Sequence, residues 1–535
     1  MSEPQMPKNA QTSKPAQTSK PAQGSTQAER SRREARQSPV LTRRRVLIGG
    51  GIVGVGAFLG GIFAEPIVSG VLPTGAPTPT PTATPAPVPM HAFVSTKLTA
   101  PKITVTKRGR TAPGMIFIDP QTEGSFKGLI IRQSGEPVWI EPTGATLTDL
   151  RVQTYQGRPV LTYWSGKSNT GHGDGTGTIL DTSYKTIATV SAGNGIKADL
   201  HEFNLTANGT ALITAYPVVT ADLTPLGGPA NGYIYDCHVQ EIDIASGAVL
   251  LDWSAMDHVD LSETYLTLKT DPGKDGTTAS RAFDPYHLNS VDADGDALLV
   301  SARHTHTVYR IDRKTGDVRW RFGGRMSDIT VAPDAVFAWQ HDVRRQADGS
   351  ITLFDNHLYT GQTDGVSRGM AFVVDESAQT STLKQAYAYD KHLGTAMGST
   401  QVLGNGNVLV GWGTDPSMTE FTADGQMVYE AGDLGTGCYR ANKSVWSAQP
   451  TTVPDVAAKA AADGAMTVYA SWNGATNVAS WNILTGASAA SLVIVATAAS
   501  AGFESSAAVP AAAMVAVQAL DGDGKVLATS AVSSV

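Results

Sequence analysis

Five residues of this chain combine side-chain type and spacing suited to handling an oxyanion: His201, His287, Asn289, Arg303 and His341. The stretch DPYHLNSVDADGDALLVSARH, from Asp284 to His304, holds three of them. His287 and Asn289 come shortly before an Asp-Gly turn, and Arg303 and His304 close the apolar run after it. A guanidinium and an amide are fixed donors for anionic oxygens, and a neutral imidazole near pH 7 is a nucleophile or proton carrier. His201 opens HEFNLTANGTAL, His287 opens HLNSVDADGDAL and His341 opens HDVRRQADGSIT. Each stands eight residues before a turn glycine, Gly209, Gly295 or Gly349. One such histidine reads as a hydrogen-bonded core residue. Three at equivalent places are poorly explained by packing, since β-branched residues suit a strand better, and they are expected to converge on one site.

Three histidines could also hold zinc or copper. Arg303 beside them argues for an anion instead, because a guanidinium repels a cation, so no metal is expected. DADGD (292–296) resembles the start of a calcium loop but falls on the hairpin turn and lacks a distal ligand. No phosphate-cradling glycine motif is present, and no cofactor is expected. Of the other histidines, His91 and His258 read as solvated and His172, in GHGDGTG, as part of a turn. His238, His304, His306, His357 and His392 have no counterparts in the repeat, though His304 adjoins Arg303.

The elements that must position these residues are strands. TANGTALITAY (206–216), DADGDALLVSARH (292–304), QADGSITLFDNH (346–357) and LGNGNVLVGWG (403–413) each place an Asn-Gly or Asp-Gly type I′ turn before an apolar strand. Gly209, Gly295, Gly349 and Gly406 are separated by 86, 54 and 57 positions, the long interval carrying an insertion at 252–283. Strand–turn–strand patterns recur at 239–253, 306–324 and 418–430. Four short strands per repeat predict an all-β protein built as a β-propeller. With earlier units near 100–140 and 145–190, six blades are expected over residues 91–446. Residues 447–535 shift to Ala and Ser with alternating runs such as MTVYASW and MVAVQAL. They predict an accessory β-sandwich resembling fibronectin III or immunoglobulin domains.

Residues 1–41 are polar and basic and are expected to be disordered in the cytoplasm. Thr42-Arg43-Arg44-Arg45-Val46-Leu47 leads into an uncharged, glycine-rich run, so 42–72 reads as a twin-arginine-like signal or a membrane anchor. Residues 73–90 form a stiff Pro/Thr-rich linker. This order predicts export across a bacterial cytoplasmic membrane, with the folded part outside, anchored or secreted. The net charge of −7 gives no general attraction to nucleic acid. Cys237 and Cys438 are compatible with one long-range disulfide or with two buried thiols.

The blocks HEFNLT, DPYHLNSVD, GDALLVSAR, FAWQHDVR and DGSITLFDN resemble the arylsulfotransferase family, over about residues 95–445. The resemblance implies a six-bladed propeller that moves a sulfuryl group from a phenolic sulfate ester to a phenol acceptor. It implies no use of PAPS and a sulfohistidine intermediate. Matched by motif, His201, His287, Asn289, Arg303 and His341 take the family's active-site positions, with His341 as nucleophile. The chain departs from well-studied members in the loops between blocks, lacks their close-spaced cysteine pair and adds the C-terminal region. Two other functions fit the residues: a non-enzymatic extracellular propeller binding a glycan or protein, and an aryl sulfate hydrolase. Aromatic residues are only 7% of the chain, which disfavours a channel lined for binding.

Overall fold

The computed structural model describes residues 88–535 apart from 170, 272, 358–364 and 462–463. The expected basic tail, the signal or anchor segment and nearly all of the linker lie outside the described residues. Among the described residues there is no α-helix, only short 3-10 turns between strands. None of their helices is long and apolar enough to cross a membrane.

The strands form antiparallel units of four. One unit runs Leu147–Tyr155, Arg158–Asn169, His172–Leu180 and Thr186–Val190. The next runs Ala198–Leu205, Thr210–Ala215, His238–Asp243 and Val249–Ser254, joined to the first by a single bridge, Gly175 to Ala198. Two more follow, one starting at Leu288–Asp294 and one at His341–Arg345. The unit starting at Ser399–Val402 gains a fifth strand, Thr104–Lys107, from the N-terminal side. The last unit is assembled from both ends of this region: Cys438–Ser444 pairs with Met115–Thr122, followed by Leu129–Ile131 and Pro137–Ile140. The stretch near 100–140 is therefore not self-contained, as its spacing suggested. It supplies three strands and takes the fourth from about 320 residues later.

The first strand of each unit lies against the first strand of the next, and Cys438–Ser444 lies against Leu147–Tyr155, so these strands close a ring. Apolar side chains fill the spaces between adjacent units. Leu299, Val308 and Phe322 of one sheet pack on Val343, Leu353 and Phe372 of its neighbour, for example. Burial of such side chains stabilises by ~25 cal/mol per Å².

The turns differ in part from expectation. Of Gly209, Gly295, Gly349 and Gly406, Gly295 alone, with φ of 65°, lies in a two-residue connection. At Gly349 (φ 83°) the loop spans five residues, and its N–H bonds Gln346 O at 2.9 Å. That is a type I turn followed by a left-handed glycine, the longer hairpin solution. The insertion between Val249–Ser254 and Leu288–Asp294 is mostly irregular, with two 3-10 turns. A hairpin that the sequence pattern did not reveal, Val218–Ala221 with Gly232–Tyr235, interrupts the second unit.

Residues 455–534 build two antiparallel sheets around one core, which includes Met466, Val468, Trp472, Trp481, Val515 and Val517. This region docks on Pro137–Ile140. Asn473 accepts from Ile140 N and donates to Ile140 O, both at 2.8 Å, and Gly474 N donates to Val138 O at 2.8 Å. A side chain at Gly474 would run into Tyr184, whose hydroxyl donates to Gly474 O.

Candidate active site

Interrupted pairing in the ring strands aims the polar residues inward. Ala198–Leu205 loses register between Ala198 and Phe203, Leu288–Asp294 between Leu288 and Ser290, and His341–Arg345 between His341 and Arg344. Cys438–Ser444 does so between Cys438 and Ala441. Unpaired residues bend the strand and take side chains off the two-residue alternation. His201, Asn289, Asp342 and Arg440 fall in these gaps. His287 and Trp339, just ahead of their strands, both have left-handed backbones at φ 55°. Such φ values are costly for side chains of this size and cluster where geometry serves function.

The structure brings several imidazoles together. The rings of His201 and His287 lie 4.7 Å apart, and that of His304 is 4.6 Å from His287. His172 lies 5.5 Å from His287 and 6.4 Å from His201. It is buried and stacked on Tyr235 at 4.2 Å, so its reading as a turn residue is corrected. The reading of His91 and His258 as solvated is corrected too: both are half-buried, stacked on Phe93 and Trp253.

Each of the three repeat-matched histidines has its Nδ1 occupied from behind. His201 Nδ1 is 2.5 Å from Asp199 Oδ1, and His287 Nδ1 is 2.6 Å from Asp284 Oδ2. His341 Nδ1 is 2.7 Å from the amide oxygen of Asn356. Its Nε2 accepts from Met397 N at 3.2 Å. Burial would raise both carboxyls, but the imidazoles outweigh it. His201 and His172 hold Asp199 below its ordinary value, and His287, His304 and His172 hold Asp284 well below. His341 is pushed well below the ordinary imidazole value by burial, then by Arg303, with His201 adding to it. Burial does the same to His287 against the opposing pull of Asp284.

Arg303 is buried beside these rings. One guanidinium nitrogen lies 2.8 Å from His304 Nε2, another donates to Thr395 O at 3.2 Å, and the group lies over Trp339 at 4.8 Å. Asn289 is buried too, and its amide donates to Gln340 O at 2.7 Å, tying two ring strands. Gln340 in turn donates to Ala302 O and Thr307 O, both at 3.1 Å.

Below the histidines lies a buried ionic layer. Arg440 pairs with Asp149 at 2.8 Å and Glu202 at 3.2 Å, and Arg344 with Glu202 and Asp342, each at 2.8 Å. Arg151 reaches Glu202 at 2.7 Å. Arg440 also donates to Asn289 O at 2.9 Å, and Tyr439 OH donates to His201 O at 2.8 Å, so this layer supports the site's backbone.

Among the described residues one trio, His172, Asp284 and His287, has ligand atoms within 4.8 Å of one another. Asp284 Oδ2 is 2.9 Å from His172 Nε2 and 2.6 Å from His287 Nδ1. Ligands around one zinc stand ~3.3 Å apart, given bonds of ~2.0–2.1 Å. The observed spacings are those of two rings sharing one carboxylate oxygen through hydrogen bonds. Cys237 and Cys438 are both buried free thiols.

Residues 151–433, more than half of the chain and spanning all five candidate residues, match the family model for arylsulfotransferase (ASST). The chain belongs to the arylsulfotransferase family. No curated protein matches it. Similar solved structures include a Bacteroides caccae protein of unknown function (12% identity, TM-score 0.38), covering 62% of this chain and 99% of that one. A catalytically inactive virginiamycin B lyase from Staphylococcus aureus, with quinupristin, has 8% identity and TM-score 0.31, covering 70% and 97%. A Dyadobacter fermentans protein of unknown function has 11% identity and TM-score 0.32, covering 70% and 95%.

In this arylsulfotransferase, sequence reasoning missed the groups behind the imidazoles. Two left a local signal. Asp199 stands two residues before His201 and Asp284 three before His287, whereas Ala338 and Trp339 hold those places before His341. Asn356, His172 and Tyr439 arrive from other parts of the chain and left none.

Proposed function

We propose that this enzyme transfers a sulfuryl group from a phenolic sulfate ester to a phenol through a sulfohistidine at His341, without PAPS. The observation that carries the reading is the unequal backing of the three repeat-matched imidazoles. His341 is backed by a neutral amide and lies near Arg303, which favours an uncharged nucleophile. His201 and His287 are backed by carboxylates, which suits them to carry a proton. In the first half-reaction the Nε2 lone pair of His341 forms the N–S bond as the S–O(aryl) bond breaks. The electron pair leaves with the phenolate oxygen, which takes a proton from His287 or His201. Burial keeps His287 neutral at rest, and an anionic donor in the site opposes that effect. Arg303, and the Met397 N–H once the N–S bond takes up the Nε2 lone pair it holds, supply donors for sulfuryl oxygens in a loose transition state. In the second half-reaction a phenol oxygen attacks sulfur, its proton returns to the histidine pair and His341 leaves as imidazole.

The architecture belongs to the same proposal. The closed ring of first strands supports a six-bladed propeller over 91–446, and the two sheets sharing a core support a fibronectin III or immunoglobulin-like sandwich over 447–535. Export through the twin-arginine-like segment, with the catalytic part outside the cytoplasmic membrane, rests on sequence.

The test is turnover of 4-nitrophenyl sulfate with and without added phenol. Acceleration by phenol is expected. Equal rates mean a hydrolase, and no turnover favours a binding protein. Donor alone should release a burst of nitrophenol of at most one equivalent per enzyme. His341→Asn should abolish burst and transfer with an unchanged fold, while His201→Asn and His287→Asn slow turnover and keep some burst. A full burst surviving in His341→Asn but lost in His287→Asn would move the nucleophile to His287.

A further inference from the structure

We infer that Asn356 is a positioning residue that fixes the tautomer of His341 and keeps its sulfurylated form in the reactive, ring-protonated state. The inference rests on the sulfohistidine reading for its second half only. Asn356 is fully buried, in the strand–loop junction after Ile351–Asp355. Its amide nitrogen lies 2.6 Å from Gly394 O and 3.1 Å from Met397 O. Both oxygens are backbone acceptors, so both must face the NH₂, and a flipped amide would set oxygen against oxygen. The orientation is therefore dictated, and the amide oxygen faces His341 Nδ1. An amide oxygen only accepts, so Nδ1 carries the proton and Nε2 the lone pair. Met397 N–H, aimed at Nε2, agrees with that assignment.

The contrast with the other two histidines gives this geometry its chemical consequence. Asp199 and Asp284 are able to stabilise a positive charge on the rings they face, whereas Asn356 is neutral. When Nε2 attacks sulfur, the ring becomes an N-sulfoimidazolium with its proton still on Nδ1, because an amide does not take that proton. Discharge then releases neutral imidazole, a good leaving group. A carboxylate in the same place would stabilise the cationic ring, favour formation of the adduct and retard its discharge.

Two measurements test this. In the wild-type protein with ¹⁵N-labelled imidazoles, the His341 signals, identified by their loss in His341→Asn, should show a protonated Nδ1 and a bare Nε2 near pH 7. The opposite tautomer would overturn the inference whatever the activity. In Asn356→Asp, checked for fold by circular dichroism, the donor-alone burst should survive. Discharge of the isolated sulfo-enzyme by phenol should slow by at least about tenfold, the effect of one pKa unit. If Asn356 merely holds the segment Gly394–Met397, both half-reactions slow alike, and that result, or no slowing, overturns the second half. If the variant does not fold, Asn356→Ala should leave His341 as a mixture of tautomers, and a single Nδ1–H form there overturns the first half. Absence of any burst in the wild type would sink the sulfohistidine reading while leaving the tautomer result standing.

Discussion

At the scale of single residues, Arg303 shows how one side chain serves several partners. Its planar fork reaches His304 and the Thr395 carbonyl while its face lies on Trp339. It also depresses the basicity of His341. A lysine keeps the charge but is a single-point donor without a stacking face. Arg303→Lys should lower turnover roughly a hundredfold with a modest change in donor affinity, as expected for a donor that acts in the transition state. Steady-state kinetics on 4-nitrophenyl sulfate decides it, and wild-type turnover in the variant would remove Arg303 from the reaction. The five candidate residues stood out because repetition exposed three histidines at one offset from a glycine, with Asn289 and Arg303 in the hairpin of the second. Their partners were not, because Asn356 is 15 residues from His341 and His172 reaches His287 across 115 positions. The first contact follows from register within one sheet, where His341 pairs with Phe354, and the second from how neighbouring sheets meet, and neither is encoded in a local pattern.

At the scale of elements, turns and alternation gave the strands, and the interruptions in pairing were hidden. The interruption leaves four residues, 199–202, unpaired in one strand and Asn289 alone in another, and nothing in HEFNLT or HLNSVD distinguishes them from regular strand. Yet those interruptions aim His201 and Asn289 inward. The C-terminal sheets were legible from alternation around Trp472 and Trp481, but their docking through Asn473 and Gly474 was not. That docking lies on Pro137–Ile140, the strand of its unit farthest from the ring, while the site occupies the ring strands. Deleting 447–535 should therefore leave the site able to work. A 91–446 fragment is expected to keep turnover within a few fold of the full chain and to lose some stability, since Trp139, Tyr184 and Trp446 lose their cover. Native-like circular dichroism without activity would contradict this.

At the scale of the whole molecule, the buried imidazoles make stability depend on pH. His306 is pushed down to about 3 by burial, then by Arg303, His304 and Arg325. In the unfolded chain it protonates near ~6.5. Between those values the unfolded state binds more protons, so stability falls as pH falls through that window, by up to ~1.4 kcal/mol per pH unit per group. His287 and His341 act with the same sign. Asp119, raised to about 6 chiefly by burial, acts with the opposite sign between ~3.8 and that value. Urea midpoints should thus drop from pH 7 to pH 5. His306→Phe, which keeps a ring against Tyr265 and Trp339, should flatten the slope by about one group's share. An unchanged slope in the variant would show that His306 titrates normally in the fold.

The last unit sets a waiting time. Met115–Thr122 leaves the ribosome early, but its partner Cys438–Ser444 is made about 320 residues later. At ~5–20 residues per second that is an interval of roughly 15–60 s. Throughout it, one side of a strand carrying Ile116, Phe117 and Ile118 has no native neighbour, although all three end fully buried. An unpaired apolar edge of this kind invites association with other chains. The cell that makes this protein must shelter a half-built ring for most of its synthesis, and completion depends on the arrival of one seven-residue strand.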